Sequence, residues 1–88
     1  MRDVIIISEE NHGTIGVAVD EAAAIRFIIE EGWVDDLWDE EQQKYVYCET
    51  LFDRYKVDNL LDLMLKMYAE NEECFDGMFY FNKTKLFE

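Results

Sequence analysis

Residues 4–32, VIIISEENHGTIGVAVDEAAAIRFIIEEG, decide the fold. They read as strand, tight turn, strand and helix in immediate succession. Val4, Ile5, Ile6 and Ile7 form an unbroken apolar run of strand length. Such a run fits a strand covered on both faces. The second segment alternates: Ile15, Val17 and Val19 point one way, and Thr14, Gly16 and Ala18 the other. The second set is small, so a helix can approach closely on that face. Between the two arms, Asn11-His12-Gly13 supplies residues that tolerate positive φ, which predicts an antiparallel hairpin over Val4–Glu9 and Thr14–Val19. Asp20 follows as a helix N-cap, with Glu21 adding favourable charge in the first turn. Ala22, Ile25, Ile28 and Ile29 make an apolar stripe on a helix over Asp20–Glu31. Gly32 is the residue expected to close it. Phe27 falls off the stripe, which points to a contact on a second side.

Outward from this unit the pattern weakens. Trp33–Gln43, WVDDLWDEEQQ, is the least structured-looking segment. Its apolar groups are read as pins to the core. Lys44–Glu49 has strand-type residues, with Tyr45, Tyr47 and Glu49 on one face and Val46 and Cys48 on the other. It reads as a third strand or as the start of a helix through Leu51-Phe52. Thr50 is placed as the cap of a short helix over Leu51–Tyr55, and Asp58 as the cap of a longer one from Asn59 to about Glu70. Leu60, Leu63, Met64 and Met67 form the main stripe of that helix. Leu61, Leu65 and Tyr68 widen it past the usual face, so the helix is either central in the fold or part of a homodimer interface. Asp62 and Lys66 are spaced as an i,i+4 pair. Asn71-Glu72-Glu73 is a polar break and Asp76-Gly77 a turn. Met78–Phe81 and Leu86-Phe87 read as strand, with Asn82–Lys85 between them and lysines suited to a sheet edge. The fold class is therefore α+β: a small, mainly antiparallel sheet made of the N-terminal hairpin, a third strand and a C-terminal strand, packed with two to three helices. Ile6, Ile25, Ile29, Leu60 and Met64 are the expected core.

The chain has 88 residues, the size of a single domain. It buries about 60–65% of its unfolded surface on folding, so its stability is marginal. Half the residues are hydrophobic, which argues against disorder despite a formal charge of −13. The charge is uneven. Residues 1–43 carry twelve acids and two bases, and residues 44–88 nine acids and six bases. A surface of this kind repels nucleic acid and anionic membranes and steers association with basic proteins. Seven of the acids fall within residues 30–41, which hold no base. Glu30, Glu31, Asp35, Asp36, Asp39, Glu40 and Glu41, with Trp33 and Trp38 as aromatic anchors, make up the candidate protein-binding segment.

Chemistry is harder to find. His12 and Ser8 are the chain's single histidine and single serine. A nucleophile–base pair needs a third, orienting group, and beside Gly13 His12 reads as a turn residue. Cys48, Cys74 and His12 lack zinc-site spacing. Residues 35–40 lack the glycine and ligand positions of a calcium loop. No phosphate-binding fingerprint is present. No catalytic residue, metal or cofactor is expected, and the chain reads as a non-enzyme. Two cysteines without a secretory leader or apolar span suggest reduced thiols and a cytoplasmic protein.

The pattern over residues 5–34 resembles small acidic proteins, mostly uncharacterised, encoded by phages and prophages of Gram-positive bacteria. The match lies in the Ser8-Glu9-Glu10 and His12-Gly13 turn, the Ile15-Gly16 strand, and the helix closing on Gly32-Trp33. The resemblance implies an accessory factor in the cytoplasm of the bacterial host. Some such proteins bind basic host proteins by imitating the charge of nucleic acid, with no direct nucleic-acid or membrane contact. The alternative reading is a structural or oligomerising protein whose acidity serves solubility alone.

Overall fold

The computed structural model describes residues 2–87. Strand β1 (Arg2–Glu9) lies at the centre of a three-stranded antiparallel sheet, flanked by β2 (Gly13–Ala18) and by the last strand of the chain, Phe79–Leu86. The His12 amide donates to the Glu9 carbonyl at 3.2 Å, and Gly13 takes φ +72° to leave the turn. Ile7 pairs with Gly16 and Ser8 with Thr14, so Ile15 is an extra, bulged residue in β2. The bulge changes the phase of the expected alternation ahead of Gly16 but not after it.

Helix α1 (Glu21–Glu30) packs on this sheet. The Asp20 carboxylate accepts from the Ala23 amide at 2.8 Å, as a cap should. At the other end the Gly32 amide donates to the Ile29 carbonyl and the Trp33 amide to the Ile28 carbonyl. Gly32 adopts φ +76°, which completes a Schellman stop. Phe27 lies directly over Gly16: a Cβ there would come within 2.6 Å of the ring. The close approach expected from the small face of β2 is therefore present, and Phe27 occupies it.

The core differs from expectation in phase. Ile5 and Ile7 are buried with Ala24, Ile25 and Ile28, whereas Ile6 is half-buried. An unbroken apolar run carries no phase of its own; here the register against Gly16 and Ala18 turns Ile5 and Ile7 toward α1. Ala22 is exposed and Ile29 half-buried, so the stripe of α1 centres on Ala24, Ile25 and Ile28.

A second sheet is a hairpin of β3 (Asp36–Asp39) and β4 (Lys44–Tyr47). Lys44–Tyr47 is thus a strand, but it pairs with the acidic segment rather than joining the main sheet. The chain continues through a 3-10 turn (Cys48–Leu51) into the short α2 (Phe52–Tyr55). Thr50 does not cap α2; its hydroxyl donates to the Tyr47 carbonyl at 2.7 Å. Helix α3 (Leu60–Glu70) is capped by Asn59, not Asp58: the Asn59 side-chain oxygen accepts from the Asp62 amide at 2.8 Å. Leu63, Met64 and Met67 are buried, and Leu60 is half-buried. Leu61, Leu65 and Tyr68 are half-buried against the same core, and Tyr68 stacks on Phe75. Lys66 donates to the Tyr55 carbonyl at 2.9 Å and not to Asp62.

Strand β5 (Phe79–Leu86) pairs with β1 along its whole length, from Phe79 opposite Glu9 to Leu86 opposite Arg2. The polar stretch Asn82–Lys85, expected to interrupt it, is part of the strand. Two ion pairs hold that part: Lys83 with Glu21 at 2.7 Å, and Lys85 with Asp3. Lys83 draws the Glu21 carboxyl below its usual range. β5 forms one edge of the sheet and carries the lysines expected there.

Candidate functional site

The acidic segment divides into three groups. Glu30 and Glu31 stand exposed at the C-terminal end of α1, where the helix dipole is already negative and no basic residue offsets it. Trp33, just beyond, packs edge-on against the His12 ring, with centroids 5.0 Å apart. His12 Nδ1 also sits 2.5 Å from the Glu9 carboxylate, which is lowered below its ordinary range mainly by that bond. His12 therefore ties the β1–β2 turn to the end of α1, a structural task that uses its Nδ1 and its ring.

Asp39 is the second group, and it leaves the binding surface. Among the described residues it is the one buried charged group, 3% exposed. Its carboxylate accepts from Arg54 Nη1 at 2.8 Å and Nη2 at 3.1 Å. It also accepts from the Gln42 side chain at 2.8 Å and the Glu41 amide at 3.0 Å. A fork-on-fork pair of this kind keeps both partners charged. The Arg54 guanidinium holds the Asp39 carboxyl well below the usual carboxylate range. Asp39 thus fixes the hairpin turn to α2 and is satisfied from within the chain.

The third group is the outward face of the hairpin. Leu37 and Asp39 point inward, so Asp36 and Trp38 point out, opposite Tyr47 and Tyr45. Trp38 meets Tyr45 edge-on at 5.2 Å between centroids. Tyr45 and Tyr47 are largely exposed, at 53% and 73%. Asp36 lies beside them, with Gln42 and Lys44, and Asp35, Glu40 and Glu49 follow close along the chain; these four carboxylates are exposed and without ion pairs among the described residues. Sequence reasoning named Trp38 as an anchor but missed the two tyrosines. Their alternation with Val46 and Cys48 was visible, but which face would be left open was not.

Beside the turn a groove of about 200 Å³ runs between the hairpin and α2–α3. Trp38 and Tyr55 wall it, and Glu40, Glu41 and Glu70 line it together with Arg54. Burial and the Glu70 charge push the Tyr55 hydroxyl upward, so that side chain stays neutral and aromatic. Cys74 reaches the groove as a thiol; burial pushes it up to about 12. Cys48 lies in the core and is pushed up to about 11, by burial and by the Glu49 and Asp36 charges. Neither thiol is a reactive nucleophile at neutral pH. Among the described residues no group of three His, Cys, Asp or Glu is placed to hold a metal ion. No helix among them is long and apolar enough to cross a membrane.

No hydrogen bond, ion pair or ring contact among the described residues links Glu30, Glu31 or Trp33 to the hairpin group. The comparisons with known proteins are negative: no family model, no curated protein and no solved structure matches the chain.

Proposed function

We propose that this chain is an acidic protein-binding module that engages a basic protein through the outward face of the β3–β4 hairpin. The observation that carries this reading is the composition of that face. Trp38, Tyr45 and Tyr47 form an aromatic centre, and exposed carboxylates without ion pairs among the described residues form its rim. Buried aromatic anchors within a polar rim are the usual source of affinity in protein interfaces. The rim charges steer a basic partner and raise the rate of encounter. The groove next to the turn suits a lysine or arginine side chain, its stem against Trp38 and Tyr55 and its charge beside Glu40 and Glu70, while Glu41 is held by Arg54 at 3.2 Å. If the partner's basic surface normally holds nucleic acid, these carboxylates stand in for phosphates. A cytoplasmic accessory factor of a phage or prophage fits this role.

Glu30 and Glu31, at the C-terminal end of α1, lie apart from the hairpin face and add only to the acidic field that steers a basic partner. The test is a pull-down from a Gram-positive bacterial lysate at low and high salt. The bait is compared with a variant carrying Asp35→Asn, Asp36→Asn and Glu40→Gln, which leaves Asp39 and Glu41 to hold Arg54. A basic protein retained at low salt by the native chain and lost with the variant is the expected result. Equal retention by both would refute the assignment of the hairpin face.

A further inference from the structure

The main sheet has two faces, and only one is covered by the helices. By register, Val4, Ile6 and Ser8 of β1 lie on the other face beside Val17 of β2 and Tyr80 and Leu86 of β5. The remaining strand positions there are Thr14, Asn82 and Thr84, all uncharged, and Arg2. No aspartate or glutamate stands among these strand positions, although acids make up 21 of the chain's 88 residues. Its apolar rim is exposed, with Val17 at 57%, Tyr80 at 42%, Leu86 at 46% and Val19, just beyond β2, at 63%, around a centre where Val4 is buried and Ile6 half-buried.

From this we infer that the outer face of the main sheet is the contact by which two copies of this chain associate. The argument is one of charge. Two bodies each carrying −13 repel, and they can approach at close range only where neither presents carboxylates. A basic partner would be recognised by acids, and this face has none. An apolar face without acids is instead complementary to itself. A two-fold axis across the strands, between Val4 and Ile6, lays each strand antiparallel over its own copy, with the sheets about 10 Å apart. By register Val17 of one copy then meets Val19 of the other, Val4 meets Ile6, and Tyr80 meets Leu86.

Three strands of up to eight residues give a face of roughly 26 by 14 Å, or about 370 Å² of flat area per copy. That is well under the ~800 Å² per partner of a standard stable interface, so the dimer is weak and depends on concentration. The inference is independent of the hairpin surface, and its salt dependence has the opposite sign. Salt screens the repulsion between copies and strengthens self-association, whereas it weakens capture of a basic protein.

The test is sedimentation equilibrium of the full chain from about 10 µM to about 1 mM, a range that brackets weak affinities, at low and high salt. The comparison variant is Val17→Glu, at an exposed position where folding is preserved; circular dichroism checks that it is. The native chain is expected to shift toward dimer with concentration, and further with salt. The variant is expected to associate at least ~100-fold more weakly, because it sets one carboxylate from each copy into the contact. Amide chemical-shift changes on dilution should centre on Ile6, Val17 and Tyr80. A native chain that stays monomeric at the highest concentration in high salt would overturn the inference. So would a dimer that Val17→Glu leaves unchanged, or dilution shifts confined to the hairpin.

Discussion

Gly16→Ala sets two opposed effects against each other, and its sign reports whether Phe27 truly seals the sheet. Gly16 has no positive φ, so alanine fits its backbone. Restricting the unfolded chain at such a site stabilises by about 0.4–1 kcal/mol. Against this, the new methyl would sit 2.6, 2.8 and 3.1 Å from three atoms at the far end of the Phe27 ring. Overpacking of this kind costs about 1–3 kcal/mol, because the ring must leave its place against the strand. The net expectation is a loss of about 0.5–2 kcal/mol. Phe27→Leu deletes the three clashing atoms, so in that background Gly16→Ala should turn stabilising by about 0.4–1 kcal/mol. Urea titrations of the four chains, followed by tryptophan fluorescence, give the double-mutant cycle. A Gly16→Ala that stabilises the native chain, or that has the same effect in both backgrounds, would refute the packing argued here.

The core register predicts that Ile25→Ala costs about 2–5 kcal/mol, through lost burial plus a cavity, and an unchanged urea midpoint would contradict it. Asp39 makes stability sensitive to acid. Its carboxyl is lowered in the folded chain, so its contribution is complete above the ordinary carboxylate value of about 4 and is lost as pH falls below it. Asp39→Asn should therefore be less stable than the native chain at neutral pH, with the gap closing in acid; a gap constant from neutral pH to acid would count against the Arg54 pairing. Cys48 and Cys74 should be alkylated slowly at neutral pH in the native chain and readily in denaturant, as measured by mass spectrometry, since burial raises both thiols. Rapid native labelling of Cys48 would mean that the 3-10 turn opens freely.

What was legible in the sequence was local. The β1–β2 turn, the Asp20 cap and the Gly32 stop each depend on residues within a few positions of one another. The larger errors lie where a distant partner decides. Asn82–Lys85 has little strand propensity of its own and is held extended by pairing with β1, more than seventy residues earlier, and by Glu21 and Asp3. β3 was hidden because Asp39 occupies an inward position that looks polar until Arg54, fifteen residues on, is seen to satisfy it. The same fact removes one of the seven carboxylates from the candidate surface. Asp58 and Asn59 are both good caps, and composition cannot choose between neighbours. The open faces, Tyr45 and Tyr47 on the hairpin and Val17 and Tyr80 on the sheet, follow from which elements come to rest where.

The central claim, that the hairpin face binds a basic protein by charge steering and aromatic anchoring, is tested most directly by association kinetics. The protein captured in the pull-down is mixed by stopped flow with the native chain and with the Asp35→Asn, Asp36→Asn, Glu40→Gln variant over a series of salt concentrations. The native association rate should fall steeply with salt. The variant's should be about tenfold lower at low salt and nearly flat, and Tyr47→Ser should chiefly speed dissociation. Equal association rates with equal salt slopes, from variants that remain folded, would contradict the account.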